Sequence, residues 1–412
     1  MTKHVYIIDY SEKEISGYKT FREELVIGLT CNPTLHVHVI SLNEDVAHIT
    51  KDETRLAEYI QVPSITGPDS HLRIIAALKL SLPDRPENIF LCNFTPAANL
   101  LSALSLFFKK SKKILVLHDI IAAYYLKGRL DKYDSIIGTQ PMSEQTSQSA
   151  KEENISKFLQ DLHREYCVAF ENATKIICLC EDTHEFLRTS FNIPESKLVL
   201  INNGLRDAVI DSSELTKAKN TPSPIVKFIF VGRMTDNKGF NILLKAISKI
   251  IDSNCADNME VICAGPISKQ RLSAIDSRIT SRVSVLGSIN RKELYKLYQE
   301  VDAGIILSKY EQCSYAGIEL KMFCLPIIAL PSFGVRNMCT PDNSIVIDVP
   351  RDISEDMLVD KVAETLTDYL KNHKHYAMPY AEKSREDFEE RYTFSQMINA
   401  YQKCFDDIFQ QP

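Results

Sequence analysis

The 412-residue sequence has no apolar run long enough to cross a membrane. Its longest largely apolar stretch, Leu100 to Phe108, falls far short of the ~18 residues a spanning helix needs. It also lacks an excess of positive charge. Forty-eight Lys plus Arg stand against fifty-four Asp plus Glu, a formal charge of −6, so no global basic field exists to hold nucleic acid. No leader-like apolar region follows the opening Met-Thr-Lys-His, which runs straight into the strand-like Val5–Asp9. The eleven cysteines are odd in number, scattered and never spaced C-x-x-C. That pattern fits a reducing compartment better than a disulfide framework, so a cytoplasmic location is expected. What remains, 44% hydrophobic and 25% charged, is ordinary globular composition for two or three domains.

Short apolar runs alternate with helix-length segments along nearly the whole chain. The runs are 5–9, 35–42, 88–92, 113–118, 175–180 and 198–201, then 226–232, 260–265, 283–287, 303–308 and 326–330. Runs this rich in Ile and Val suit strands buried on both faces, as in parallel sheets. Helix-compatible stretches lie between them, among them Lys19–Leu29, Ile155–Ala173, Phe240–Asp252 and Lys292–Glu300. The alternation predicts an α/β protein with doubly wound sheets. The polar segment Asp211–Pro224 divides two halves of similar character, and the charged Tyr380–Arg391 reads as a second linker ahead of an amphipathic last helix. Residues 138–155 are poor in apolar side chains and read as an exposed, mobile insertion.

Two segments carry chemistry. The first, Gly232-Arg233-Met234-Thr235-Asp236-Asn237-Lys238-Gly239, opens from a strand end into a helix, the usual anion site of an α/β sheet. Arg233 and Lys238 add two cations there, enough to neutralise a diphosphate. On its own the segment is also consistent with a βα loop bearing two solvated bases. The second holds Glu311 and Glu319 eight positions apart around Ser314, Tyr315 and Ala316. A helix starting there aims backbone N–H groups at the same place, while the carboxylates suit hydroxyls of a ribose and a sugar. Taken singly, the pair is equally a helix-start Glu and an exposed one.

In this order, with Gly265, Gly287, Glu293-Leu294 and Pro326 in register, the two segments resemble the C-terminal domain of retaining glycosyltransferases of the GT-B fold, glycosyltransferase family 4 in particular. Softer matches in the first half are Gly17 in the Tyr10–Tyr18 loop, His118-Asp119 at a strand end, Cys180 where the family has Ser, and Asn203-Gly204. Cys178 and Cys180 share one strand face and read as core. The resemblance implies two Rossmann-like domains facing across a cleft. An acceptor-side domain would span residues 1–205 and a donor domain residues 206–385, with a final helix (about 386–412) crossing back onto the first. Ser314 stands where the family has Gly, Cys313 replaces an aromatic, Cys324 another Gly, and Lys321 a small or apolar residue.

The same resemblance implies a function. Gly17, Gly232, Arg233, Lys238, Gly265, Ser314, Tyr315, Ala316 and Glu319 would bind the nucleotide-sugar, UDP-linked in preference to GDP-linked. Arg233 and Lys238 would stabilise the leaving diphosphate. Glu319 would take ribose hydroxyls, Glu311 the transferred sugar, and His118 a hydroxyl near it. No metal or cofactor is expected. The acceptor (glycan, lipid-linked, peptide or small molecule) is not encoded legibly. Lys109, Lys110, Lys112 and Lys113 form a basic run that would suit an anionic membrane surface or a solvated helix end. The changes at Ser314 and Cys324 motivate the competing reading of a non-catalytic, glycosyltransferase-like subunit or sugar-binding protein.

Overall fold

The computed structural model describes residues 3–9, 17–42, 57–62, 69–93, 97–138, 147–209, 224–350 and 352–410. Two compact units divide the chain, one of Met1–Gly204 with Phe394–Pro412 and the other of Leu205–Thr393.

The first unit holds strands β1 (Lys3–Asp9), β2 (Leu35–Ser41), β3 (Glu58–Gln61), β4 (Asn88–Cys92), β5 (Lys112–Leu117), β6 (Lys175–Cys178) and β7 (Leu198–Leu200). They form one sheet in the order β3-β2-β1-β4-β5-β6-β7, with every pairing parallel. Val5, Ile7, Ile8 and Ile89 to Cys92 are fully buried, as strands at the centre of a parallel sheet covered by helices are. The order runs outward in two directions from β1 and β4, so the switch point lies between those strands. The last helix, Phe394–Gln410, buries Met397, Ile398, Tyr401, Phe405 and Ile408. It lies against the helix Gly17–Thr30 so closely that a methyl on Gly28 would come within 2.1 Å of Ile398 Cδ1.

The second unit repeats the plan with β8 (Val226–Val231), β9 (Met259–Ala264), β10 (Val283–Gly287), β11 (Ala303–Ile306), β12 (Ile327–Ala329) and β13 (Ile345–Val346). Their order is β10-β9-β8-β11-β12-β13, again all parallel, with the switch point between β8 and β11. The helix Phe240–Asp252 shows why this pattern folds. Its buried residues Phe240, Ile242, Leu243, Ala246, Ile247 and Ile250 make one stripe at helical spacing. Each fully buried large side chain contributes about 1.5–3 kcal/mol of transfer free energy.

Three expectations are corrected. The charged segment Tyr380–Arg391 is no linker but the end of the helical span Glu355–Arg391, which is kinked at Asn372. Most of its charges face water while Ala377, Ala381, Ser384, Asp387 and Phe388 are buried. The returning segment consequently starts at Phe394 rather than near residue 386. Within 138–155, the backbone is helical from Ser147 onward as the start of Ser147–Asn172; residues 139–146 lie outside the described set, as do 210–223 of the first linker.

The unusual Lys321 also finds its reason in this unit. Its side chain is 0% exposed, and Nζ lies 2.9 Å from Asp387 Oδ2 on the Glu355–Arg391 helix. Asp387 in turn lies 3.4 Å from Arg391, whose guanidinium donates to the Asn337 carbonyl. Removing one partner strands a buried charge, whereas removing both does not. Asp387→Ala is expected to lower unfolding stability by about 3–5 kcal/mol, and Lys321→Met with Asp387→Leu to recover most of it. Urea unfolding of the three proteins checks this; a wild-type midpoint for the single variant contradicts it.

Candidate functional site

In the second unit the site grows from the carboxyl ends of β8 and β11. After Val231 the chain turns through Gly232, and the loop after β9 runs directly beneath it. A Cβ on Gly265 would sit 2.0 Å from the Gly232 carbonyl oxygen, so only glycine fits there. Gly232 N donates to Ala264 O and Met234 N to Pro266 O. One turn, Asp236–Lys238, follows, and Gly239 enters the helix at φ +79° with Leu307 O only 2.4 Å from where a Cβ would be. That close approach presses the loop after β8 against the segment after β11, and Lys309 N donates to Asn237 O at 2.8 Å.

The contact brings two of the expected residues together. Lys238 Nζ donates to Glu311 Oε1 at 2.5 Å, and Ser308 Oγ donates to the same oxygen at 2.6 Å. Both side chains keep some solvent access (25% and 13%), so the pair contributes little to stability. Its effect is positional, because an ammonium has three donors and Glu311 occupies one. Arg233 is exposed and has no hydrogen-bond or ion-pair partner among the described residues. The helix Tyr315–Met322 follows Glu311, and Ser314 is its N-cap, with Oγ accepting from Gly317 N. Serine thus satisfies one helix-start N–H where the family's glycine would leave it open. Tyr315 and Ala316 form the first turn, and Cys324 adopts φ +54°, a left-handed backbone that glycine occupies more easily.

Glu319 faces inward in this unit. Its side chain is 8% exposed, Tyr298 Oη donates to Oε2 at 2.9 Å, and Arg291 Nε lies 4.0 Å from Oε1. Burial pushes the carboxyl up to about 7, against the opposing pull of Tyr298 and Arg291. Glu293, by contrast, is a helix-start residue, forming a reciprocal capping box with Asn290.

In the first unit, His118 directly follows β5. Its Nε2 donates to Asn93 Oδ1 at 2.6 Å, and the ring lies between Tyr18 and Phe21, with centroids at 4.7 and 4.6 Å. Although part of its surface reaches water, protein atoms surround the ring, and burial drives its pKa down to about 3. Asp119 accepts from Tyr18 Oη at 2.6 Å and from Tyr124 Oη at 2.8 Å. Gly17 is the exposed first residue of the Gly17–Thr30 helix; residues 10–16 of its loop lie outside the described set. Of the four lysines of the basic run, Lys109 and Lys110 are exposed, Lys112 is partly covered and Lys113 is buried. The Asp84 carboxylate accepts from Lys110 N and Ser111 N, capping that turn. Cys178 and Cys180 are buried, as expected of core residues.

Sequence reasoning missed Asp9, Arg22, Asn93 and Tyr298. One signal was present for two of them. Asp9 and Asn93 are polar residues directly after the apolar runs Val5–Ile8 and Ile89–Cys92.

Glu319 makes stability depend on pH in a definite direction. Its folded pKa lies above its unfolded value near 4.5. Between those values the folded state holds a proton that the unfolded state has lost, so stability falls as pH rises. Wild type is expected to lose on the order of 3 kcal/mol between pH 4.5 and 7 that Glu319→Gln does not lose. Urea titrations at pH 5 and 7.5 measure the difference; parallel curves for both proteins contradict it.

Comparison with known proteins follows the same division. Residues 226–368 match the family model for glycosyl transferases group 1. An uncharacterized glycosyltransferase of Methanocaldococcus jannaschii is 25% identical over 174 residues, 40% of this chain and 44% of the relative, so the match spans less than half of that protein. The O-antigen chain mannosyltransferase C of Escherichia coli is 23% identical over 271 residues, covering 64% of this chain and 68% of the relative. Among solved structures, Anabaena HepE in complex with UDP and glucose superposes with a TM-score of 0.71 at 14% identity, covering 98% of this chain and 100% of the other. The chain has the two-domain α/β GT-B fold, and its second unit matches the glycosyl transferases group 1 model over residues 226–368.

Proposed function

We propose that the chain is a retaining glycosyltransferase that moves a sugar from a UDP-sugar to an acceptor without a metal ion. The observation that carries this reading is the Lys238–Glu311 pair at the β8/β11 switch point, beside an unpartnered Arg233. A crevice at the carboxyl edge of an open parallel sheet is where such folds hold phosphates. Lys238 has donors left for the diphosphate, and Arg233 supplies a planar fork for a second phosphoryl group. With the helix start at Ser314, these two cations do the neutralising that a divalent ion does elsewhere. In this reading Glu311, held by Ser308, takes hydroxyls of the sugar and Glu319 those of the ribose, both roles drawn from the resemblance. Retention is taken from the resemblance of the Gly232–Glu319 segments to the retaining family. UDP is supported by the ligand of Anabaena HepE.

His118, at the carboxyl edge of the first unit's sheet, is assigned a hydroxyl of the transferring sugar on the strength of the family resemblance. The Ser314 cap removes one motive for a non-catalytic reading, since the substitution is accommodated within a regular helix start. Lys109 and Lys110 are the lysines left to meet an anionic membrane, at about 1 kcal/mol each. Eleven free thiols suit a cytoplasmic setting.

Lys238→Ala is expected to lower the rate of UDP release from the accepted UDP-sugar by about 10²–10³-fold, the usual loss for one transition-state donor. Its unfolding midpoint should stay near wild type, because the pair is partly exposed. A folded, fully active Lys238→Ala protein contradicts the assignment.

A further inference from the structure

The first unit contains a polar chain that the reading above does not use. Asp9 ends β1, Asn93 follows β4 and His118 follows β5, and these three strands are neighbours in the sheet. The chain therefore spans the β1/β4 switch point, at the carboxyl edge. Arg22, from the helix after β1, donates to Asp9 Oδ2 at 2.5 Å, and each of these side chains is 4% exposed. Asn93, fully buried, donates from Nδ2 to Asp9 Oδ1 at 2.9 Å. Its Oδ1 meets His118 Nε2 at 2.6 Å.

Each link fixes the next. A buried guanidinium has only donors, so it holds Asp9 as an acceptor. The second Asp9 oxygen then needs a donor, and Asn93 has one only on its NH₂ group. The amide is thereby locked with its carbonyl toward the histidine, since the flipped amide would set a carbonyl against a carboxylate. A carbonyl can only accept, so Nε2 carries the ring proton. Burial among the rings of Tyr18 and Phe21 disfavours a second proton, in keeping with a pKa pushed far down. Nδ1 keeps a lone pair and has no partner among the described residues, on a side chain that is only partly buried.

We infer that Arg22, Asp9 and Asn93 form a positioning relay that fixes His118 as the Nε2–H tautomer, so that its Nδ1 accepts a hydrogen bond from a hydroxyl of the bound sugar. The ligand contact rests on the proposed function; the tautomer does not. The arrangement matches how a histidine's outer partner sets which nitrogen is offered to a ligand. It further separates the roles of two neighbours. Asn93 orients the ring without touching ligand, whereas Asp119, held by Tyr18 and Tyr124, is a separate anchor for the segment after it.

The test is nitrogen NMR on the full chain labelled at its histidines, with the His118 signals identified by their loss in His118→Gln. At neutral pH the wild-type ring is expected to show a proton-bearing Nε2 and a bare Nδ1. Adding UDP-glucose, or another UDP-sugar that stabilises the fold, should shift Nδ1 far more than Nε2. In Asn93→Leu the acceptor for Nε2–H is gone, and the ring should shift toward the Nδ1–H tautomer. A wild-type ring protonated on Nδ1, or a folded Asn93→Leu protein with an unchanged His118 spectrum, overturns the relay. A correct tautomer whose Nδ1 ignores every stabilising UDP-sugar overturns the ligand contact, and with it the proposed place of His118, while leaving the tautomer standing.

Discussion

Where the strand order of a parallel sheet reverses, the segments leaving two adjacent strands turn to opposite faces and leave the carboxyl edge between them open. Both units of this chain are built around that constraint. In the second unit the opening between β8 and β11 holds Lys238, Glu311 and Ser308; in the first, the opening between β1 and β4 is spanned by Asp9, Asn93 and His118. The apolar strands below serve as rigid posts. Each polar cluster owes its geometry to strands that sit side by side in space but lie far apart in sequence.

The two clusters use polar groups differently. In the second unit the pair is partly exposed and the cations keep unused donors, which suits a site that must exchange one anionic partner for another. In the first the links are buried and saturated, which suits a part that must not rearrange. Lys321 with Asp387, and Tyr298 with Glu319, are buried pairs of the second kind set beneath the first. They hold the Tyr315–Met322 helix, the element that carries Ser314 and Glu319, against its neighbours. These inward contacts keep the helix from sliding, as the proposed anion site at its start requires.

Much of the fold was legible because strands buried on both faces are largely apolar. Asn88–Cys92 occurs as read, as does the half-exposed edge strand Val283–Gly287, and Phe240–Asp252 has the bounds its stripe suggests. Glu58–Gln61 and Ile345–Val346 were missed, being edge strands too short to leave a pattern. The Tyr380–Arg391 helix was misread because Phe388 is its one large apolar buried residue, the others being Ala381, Ser384 and Asp387, so charge dominated the segment. The donor-side residues were legible because loop and helix start are contiguous in sequence. Asn93 was not, since its partners lie 84 and 25 positions away and only the folded sheet joins them. Lys321 looked like a departure from the family for the same reason, its counter-charge being on another helix.

The central claim is that the β8/β11 crevice of the second unit binds a nucleoside diphosphate through protein cations. Thermal unfolding and calorimetric titration with UDP, GDP and ADP, all with chelator present, test it most directly. The account predicts selective stabilisation by UDP, about 2.7 kcal/mol at one hundred times the dissociation constant, undiminished by chelator and lost in Arg233→Ala with Lys238→Ala. No stabilisation by any diphosphate, or stabilisation that vanishes with chelator, would contradict it.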